Sequence, residues 1–170
     1  LTAPPLAQSE LERYNLFPQA EQPRSVLEHC RLAIDRGSTV GPHGLPLIGT
    51  GDWNDGLNRV GENGRGESVW LAWFLCDVLK RFAAICEQVG DAETARRVLS
   101  QARDYAAAVE RSGWDGAWYR RATFDDGTPL GSIQDTECQI DAIAQSWSVM
   151  SGAGDTQRSR RAMQSVLDRL

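Results

Sequence analysis

The apolar positions along the chain fall into five stretches with helical spacing, separated by segments rich in glycine and polar residues. The first helix is predicted to begin near Pro23 and to end at Gly37, because proline is favoured in a first turn and glycine just past a last one. The second runs from Glu67 to about Val89 and is apolar on almost every side at its start. Such a pattern is typical of a helix that is buried on most of its surface.

Three further helices complete the pattern. Asp91 can cap a third helix that extends to about Arg111, with apolar residues spaced by threes and fours. A fourth helix is predicted from about Glu137 to Ser151. Asp155 can cap the fifth, which continues to the end of the chain.

Two long segments interrupt the helices. Residues 38–66 are rich in glycine, and loops of that length inside compact domains are usually functional. Residues 113–132 are rich in aromatic side chains, and the Asp-Gly pair at 126–127 predicts a short hairpin or a structured loop. Residues 1–21 contain prolines and no steady period, so they are predicted to be irregular, whereas residues 22–170 are predicted to be helical apart from the two loops.

These elements predict an all-α fold of antiparallel helical hairpins whose long loops lie at one end, as in part of an (α/α)6 toroid. Five helices would be less than half of a twelve-helix toroid, and an ordinary helical bundle fits the periodicity equally well. The chain begins with Leu1 rather than Met, and its last residues stop within a helical pattern. We therefore expect residues 1–170 to be a fragment of a larger domain.

Charge and cysteine content narrow the classes of partner. The formal net charge is −5, and the lysines and arginines are scattered rather than clustered, which argues against a nucleic-acid partner. No apolar run approaches the ~18 residues that would span a membrane. The four cysteines lack Cys-x-x-Cys spacing and only two histidines are present, so we expect no metal site and interpret the cysteines as buried free thiols of a cytoplasmic protein.

The first long loop contains Gly-Asp-Trp-Asn-Asp-Gly at positions 51–56. An EF-hand calcium loop beginning at Asp52 would place Gly56 at its fifth position and Asn63 at its twelfth, where an oxygen ligand and a glutamate are required. The glycine-rich stretch at 61–68 also lacks the Gly-Lys-Ser/Thr ending of a phosphate-binding loop. Neither motif explains the segment.

A carbohydrate site fits the residue types. Sugars present flat apolar faces and many hydroxyl groups, and Trp53 lies beside the polar side chains of Asp52, Asn54 and Asp55. An aspartic acid held against an indole and shielded from water would favour its neutral form, as a general acid requires. The alternative is a turn with local side-chain hydrogen bonds in which the tryptophan covers the core. Composition leaves both interpretations open.

A second cluster lies in the aromatic segment, where Trp118 and Tyr119 follow Trp114 and Asp115. These side chains could also bind sugar, although tryptophans outside position 53 are more often part of a core. In the fourth helix, periodicity alone makes Trp147 a core residue and Gln145 an exposed or capping one. Glu67 is expected to cap or to charge the start of the second helix, where an acidic side chain is favourable.

Three blocks of sequence resemble the inverting β-glycoside phosphorylases of glycoside hydrolase family 94. They are HGLPLIGTGDWNDGLNRVGENGRGESVWLAWFL (43–75), WDGAWYRRATFDDGTPLGS (114–132) and IDAIAQSWSVMSGAGD (140–155), in the order that the family has them. The resemblance covers nearly the whole chain and is greatest to the phosphorylase-like C-terminal region of cyclic β-1,2-glucan synthases. It implies an (α/α)6 catalytic domain that acts on β-linked gluco-oligosaccharides.

The resemblance also implies residue roles. Asp55 would be the general acid and Trp53 would line the sugar site, with Gln145 near the same cavity. The reaction would be phosphorolysis to an α-sugar 1-phosphate, with inorganic phosphate as co-substrate and no other cofactor. The family's phosphate-binding residues lie beyond the end of this chain and two of its donor-sugar residues lie before the start. We therefore expect the chain alone to be inactive.

Other interpretations remain. The chain could be a non-catalytic carbohydrate-binding or chain-length-sensing module, or a purely structural helical domain. If the full protein is a glucan synthase, the resemblance implies a membrane-embedded enzyme with this region in the cytoplasm. Apolar helix faces left uncovered in an incomplete toroid would favour association into homo-oligomers.

Overall fold

The computed structural model describes Ala7 and residues 13–170. The described part of the predicted irregular lead-in, residues 13–21, has no helix or strand; the rest of that prediction lies outside the described residues. The chain divides into two compact units, Leu1–Asp35 and Arg36–Leu170. The first unit contains most of helix α1, and the second contains both long loops and the other helices.

The fold is all-α with one small sheet, as the sequence predicts. The α-helices are α1 (Val26–Gly37), α2 (Val69–Gln88), α3 (Ala92–Ala108), α4 (Ala142–Met150) and α5 (Thr156–Arg169). The strands are β1 (Glu67–Ser68), β2 (Ala122–Thr123) and β3 (Pro129–Leu130), antiparallel in the order β1-β2-β3. No helix in the described part of the chain is long and apolar enough to cross a membrane.

Side-chain caps fix where the helices begin. Ser68 Oγ accepts a hydrogen bond from the Leu71 amide at the start of α2. Asp91, Asp141 and Asp155 do the same for α3, α4 and α5. Each cap satisfies amides that would otherwise have no partner in the first turn of a helix. The capping roles predicted for Asp91 and Asp155 are therefore confirmed.

Three predicted helix boundaries are wrong. Helix α1 begins at Val26 rather than near Pro23. Helix α3 ends at Ala108 and is followed by one π-helical turn, Val109–Gly113, rather than continuing to about Arg111 as an α-helix. Helix α4 starts at Ala142 rather than near Glu137. Residues 132–140 instead form a loop held by side chains: Asp135 accepts from the Ser132 amide, and the Gln139 amide group donates to the carbonyl of Asp135.

Helices α2 and α4 lie side by side and run in the same direction. Arg121 contacts the caps of both, Ser68 and Asp141. Further along α2, Lys80 Nζ donates to the carbonyls of Ser151 and Gly152 just past the end of α4, 3.0 and 3.3 Å away. A cation at the C-terminus of a helix is favourable.

The two long loops therefore meet at the N-terminal ends of α2 and α4. Helices α2 and α3 form one antiparallel hairpin and α4 and α5 the next, as expected of two successive hairpins in an α/α fold. The core between them includes Trp73, Leu79, Val98 and Tyr119, all fully buried.

The cysteine prediction is partly wrong. All four thiols are free, and Cys76 and Cys86 are buried in α2 as expected. Burial raises the pKa of the Cys76 thiol to about 11, which keeps it in the unreactive protonated form. Cys138, however, is exposed and lies in the loop before α4 with φ 51°.

Candidate functional site

The loop that carries residues 51–56 is anchored at both ends. The Ile48 amide donates to the Gly66 carbonyl at 2.9 Å, so the loop leaves and rejoins the fold at one place. Gly66 is required there, because a Cβ at that position would lie 2.2 Å from the Val60 carbonyl oxygen. Below the loop, Ile48, Val60 and Ala122 form a small apolar core.

The β2–β3 hairpin holds the far end of the same loop through Asp125. Its carboxylate accepts hydrogen bonds from the backbone amides of Asn63, Arg65 and Gly66 at 2.7–2.8 Å. These bonds, with the Asn63 amide the strongest influence, hold the pKa of Asp125 below its usual value. The aromatic segment and the glycine-rich loop are therefore one structural assembly.

Asp52 is buried and paired. Its carboxylate makes a bidentate ion pair with Arg121, with distances of 2.7 Å from Nη1 to Oδ2 and 2.6 Å from Nη2 to Oδ1. It also accepts from Ser68 Oγ at 2.6 Å and from the Asn54 amide at 3.1 Å. The side chains of Asp52 and Arg121 are 0% and 2% exposed.

These contacts decide the charge of Asp52. Burial acts to raise the pKa of its carboxyl, but the hydrogen bonds from Arg121, Ser68 and Asn54 outweigh burial, and the pKa is lowered overall. A carboxylate that accepts several hydrogen bonds favours its charged form. Asp52 is therefore ionised at neutral pH and its oxygens are already occupied.

Arg121 was not identified from the sequence. Besides Asp52, its Nε lies 3.1 Å from Asp141 Oδ2 as an ion pair, without the alignment of a hydrogen bond. Its guanidinium lies 5.9 Å from the ring centre of Trp70. The only signal in the sequence is the position of Arg121 immediately before β2. Successive side chains of a strand point to opposite faces of the sheet, so Arg120 and Arg121 are expected to point in opposite directions. Arg120 accordingly points elsewhere and pairs with Asp115.

Trp53, Asn54 and Asp55 differ from Asp52. Trp53 is 73% exposed. The turn interpretation required its side chain to cover the core, and it does not. Asn54 caps a short 3-10 helix, Asp55–Leu57, by accepting from the Gly56 amide at 2.9 Å. Asp55 is exposed, and its carboxyl has no hydrogen-bond or ion-pair partner within residues 13–170. The shielding expected for this acid is not provided by those residues.

The second predicted cluster is packed inside the fold. Trp118 is fully buried and its Nε1 donates to the carbonyls of Gly131 and Gln139, both at 2.9 Å. Tyr119 is also fully buried and donates its hydroxyl to Glu110 at 2.7 Å. Burial, reinforced by the Glu110 carboxylate, raises the pKa of Tyr119 far above its usual value. Because Trp118 and Tyr119 are both buried, their positions do not favour the predicted direct contact with sugar.

Gln145 is buried too, contrary to its periodicity, whereas Trp147 is only partly buried. The Gln145 side chain pairs with the backbone of Tyr119: Oε1 accepts from the amide at 2.8 Å and Nε2 donates to the carbonyl at 2.6 Å. A glutamine can replace a strand partner in this way, which satisfies backbone groups that would otherwise be buried alone. The observed contacts of Gln145 support the shape of the aromatic segment.

Glu67 is likewise not the helix-charging residue that the sequence suggested. It lies in β1, 1% exposed, and its carboxylate accepts from the amides of His43 and Leu45 at 3.0 Å each and contacts His43 Nδ1. It thereby folds the start of the glycine-rich loop. In the described part of the chain no group of three or more His, Cys, Asp or Glu side chains could hold a metal ion.

Comparison with known proteins gives a consistent result. Residues 5–170 match the glycosyl hydrolase 94 superfamily, catalytic domain. The chain is 45% identical, over its whole length, to the cyclic beta-(1,2)-glucan synthase NdvB of Rhizobium meliloti (strain 1021). It is 38% identical over 92% of its length to the 3-O-beta-D-glucopyranosyl-beta-D-glucuronide phosphorylase of Paenibacillus borealis, and 30% identical over 86% to the N,N'-diacetylchitobiose phosphorylase of Vibrio furnissii.

The alignments cover only part of each relative: 6% of the glucan synthase, 20% of the glucuronide phosphorylase and 18% of the chitobiose phosphorylase. The family match nevertheless spans almost all of this chain, and it includes both long loops. The chain therefore belongs to the glycosyl hydrolase 94 superfamily, and the match is to its catalytic domain.

Proposed function

We propose that this chain is the portion of an inverting β-glycoside phosphorylase domain that supplies the catalytic acid, and that Asp55 is that acid. The observation that carries the proposal is the difference in burial and pairing between the carboxyl groups of Asp52 and Asp55. Asp52 is ionised, buried and saturated with partners, so it cannot give up a proton or receive a substrate. Asp55 is exposed, unpaired among the described residues, and held by a capped turn.

Trp53 is proposed to bind the sugar. Its indole is exposed and lies two positions from Asp55, so a ring stacked on it would bring a glycosidic oxygen near the carboxyl. Aromatic faces with an adjacent polar group suit the flat apolar face and hydroxyl rim of a sugar. We propose that the bound sugar and the rest of the domain provide the shielding that a protonated Asp55 needs.

The proposed reaction is a single displacement. Phosphate attacks the anomeric carbon from the face opposite the leaving group while Asp55 protonates the glycosidic oxygen. The carbon–oxygen bond breaks, an α-sugar 1-phosphate and a shortened sugar result, and Asp55 then regains a proton from solvent. Inverting hydrolases need a second carboxylate to activate water, whereas phosphate is already an anionic nucleophile, so one acid suffices.

The proposed substrate is a β-linked gluco-oligosaccharide, and the proposed parent is a protein of the cyclic β-1,2-glucan synthase type. Two of the relatives support this choice, since one is a cyclic β-1,2-glucan synthase and the other is a phosphorylase of a β-D-glucopyranosyl glucuronide. No phosphate-binding residue is proposed in this chain. Phosphate would be held by other parts of the domain.

The proposal is tested by phosphorolysis of β-1,2- and β-1,4-gluco-oligosaccharides by the full-length protein and its Asp55→Asn variant. We expect sugar 1-phosphate release to fall by ~10²-fold or more, the scale of a lost general acid, with sugar binding largely kept. Asp126→Asn is the matched control: Asp126 is also exposed, and asparagine keeps its bond to the Thr128 amide. Equal turnover in the Asp55→Asn variant and the wild type would refute the assignment.

A non-catalytic sugar-binding module is the second candidate, because an exposed tryptophan beside an unshielded carboxyl also suits binding alone. Titration of the same oligosaccharides against tryptophan fluorescence separates it from a purely structural role. A full-length protein that binds sugar but releases no sugar 1-phosphate, with or without Asp55, would favour the binding module.

A further inference from the structure

We propose that Arg121 is a positioning residue that fixes the direction of the Asp55 carboxyl through Asp52 and Asn54. The inference rests on the proposed role of Asp55 as the acid. It assigns to the second sequence block, which lies far from the loop in sequence, a part in the proton transfer.

The contacts form a continuous chain. Arg121 binds both oxygens of Asp52. Asp52 Oδ1 accepts from the amide of Asn54, and Asn54 Oδ1 accepts from the amide of Gly56, which closes the short helix that begins at Asp55. Each link fixes the backbone on which the next side chain stands. Asp55 itself makes no contact with Arg121, so the influence is indirect.

The chemistry of the pair points to geometry rather than to stability. A buried ion pair is weak evidence for stability, since apolar residues of similar volume often serve as well. A planar guanidinium bound to both carboxylate oxygens, however, fixes the orientation of both groups. A lysine ammonium could satisfy the charge of Asp52 but could not hold its plane.

Arg121 is also held firmly at its other side. Its amide donates to the Leu130 carbonyl at 2.8 Å and its carbonyl accepts from the Val69 amide at 3.2 Å, so its backbone is part of the sheet. Its Nε lies beside Asp141, the cap of α4. The guanidinium therefore connects the loop at 51–56 to the N-terminal ends of both α2 and α4. Functional groups need this kind of support to stay in productive geometry.

The test compares two substrates of the full-length protein, wild type and Arg121→Lys. One is a gluco-oligosaccharide, whose leaving group must be protonated. The other is β-glucosyl fluoride, whose fluoride leaves without a proton while phosphate forms the same sugar 1-phosphate. We expect kcat for the oligosaccharide to fall at least ~10-fold more than kcat for the fluoride, since positioning of the acid matters only for the first. KM for phosphate should be unchanged.

Three further variants make the result decisive. Arg120→Lys, in the neighbouring and more exposed arginine, should leave both rates close to wild type. Ser68→Ala removes one hydrogen bond to Asp52 and should give the same substrate pattern at smaller size, about 3-fold; it decides the question if Arg121→Lys does not fold. Asp55→Asn should show the largest difference between the two substrates.

The outcomes separate the two claims. If Asp55→Asn affects the oligosaccharide selectively but Arg121→Lys and Ser68→Ala lower both rates equally, Arg121 is merely structural and the inference is overturned. If Asp55→Asn lowers both rates equally, Asp55 is not the acid. The proposed function is then refuted, and the inference about Arg121 is overturned with it.

Discussion

Two aspartates three positions apart in one loop have opposite environments. Asp52 is enclosed and bound to Arg121, whereas the carboxyl of Asp55 faces solvent. The difference follows from β1 and β2, which bring Ser68 and Arg121 to the base of the loop and leave its tip uncovered. At the scale of single residues, the fold fixes the charge of one acid and leaves the other available.

The stability of the protein should report this difference. We expect Asp52→Asn to lower the free energy of unfolding at pH 7 by ~3 kcal/mol, because a buried arginine loses its partner charge. Asp55→Asn should change it by no more than about 0.5 kcal/mol. Urea unfolding of the two variants and the wild type measures both values, and equal effects would contradict the assigned environments.

The same pair predicts a pH dependence. The pKa of Asp52 is lower in the folded than in the unfolded state, so its contribution to stability is present above the ordinary value of 3.8 and is lost as pH falls through the folded pKa. The stability gap between wild type and Asp52→Asn should therefore narrow below pH 3.8. Unfolding midpoints measured at pH 6 and pH 3 test this, and a constant gap would count against an ionised Asp52.

The residues of the loop could be found from the sequence, but their partners could not. Trp53 and Asp55 could be proposed as site residues because their types and order match a motif, and their roles stay predictions. Arg121 was not, since its pairing with Asp52 joins positions 69 residues apart. Gln145 was misplaced for a related reason: helical periodicity assumes that buried positions are apolar, and this glutamine is buried because it bonds the backbone of Tyr119.

At the scale of elements, the helices were predictable wherever apolar spacing and a cap coincide. Helix α2 was expected over 67–89 and spans Val69–Gln88, because Ser68 caps it. Helix α4 was misjudged at its start because the loop at 132–140 is held by hydrogen bonds of Asp135 and Gln139. Side-chain hydrogen bonds of this kind compete with the helix and leave no periodic pattern.

The contact between the hairpin and the loop gives a prediction at this scale. Replacing Asp125 with alanine removes the acceptor for three loop amides, so we expect faster hydrogen exchange at Asn63, Arg65 and Gly66. Trypsin cleavage after Arg65 should also become faster. Asp126→Asn, in the turn of the same hairpin, should leave both rates unchanged. Unaltered exchange in the Asp125→Ala variant would show that the loop is held by other contacts.

At the scale of the whole molecule, large apolar side chains remain exposed at both ends of the helices. Val89, just past the end of α2, and Met150, at the end of α4, lie away from the loops. Leu167 and Leu170 are 77% and 74% exposed and lie at the opposite end, where Arg169 of α5 contacts Trp118. Apolar surface that is left exposed favours association. We expect the isolated chain to self-associate; size-exclusion chromatography with light scattering tests this, and a clean monomer at all concentrations would contradict it.

The isolated chain is also expected to release little or no sugar 1-phosphate from gluco-oligosaccharides, because phosphate and part of the donor sugar would be bound by residues outside it. Adding phosphate and oligosaccharide to the purified chain, with the full-length protein as positive control, measures the release directly. Readily detected sugar 1-phosphate from the chain alone would show that it contains a complete site.

The ion pair between Asp52 and Arg121 also bears on how this chemistry can be transferred between proteins. The hexapeptide at 51–56 is short enough to graft onto another helical scaffold, yet the grafted Asp52 would lack Arg121, which binds both of its carboxylate oxygens. A functional transplant needs the glycine-rich loop and the β2–β3 hairpin moved together, with the starts of two parallel helices to receive them. For the same reason, a substitution at position 52 or 121 during divergence would be tolerated only alongside a matching change at the other.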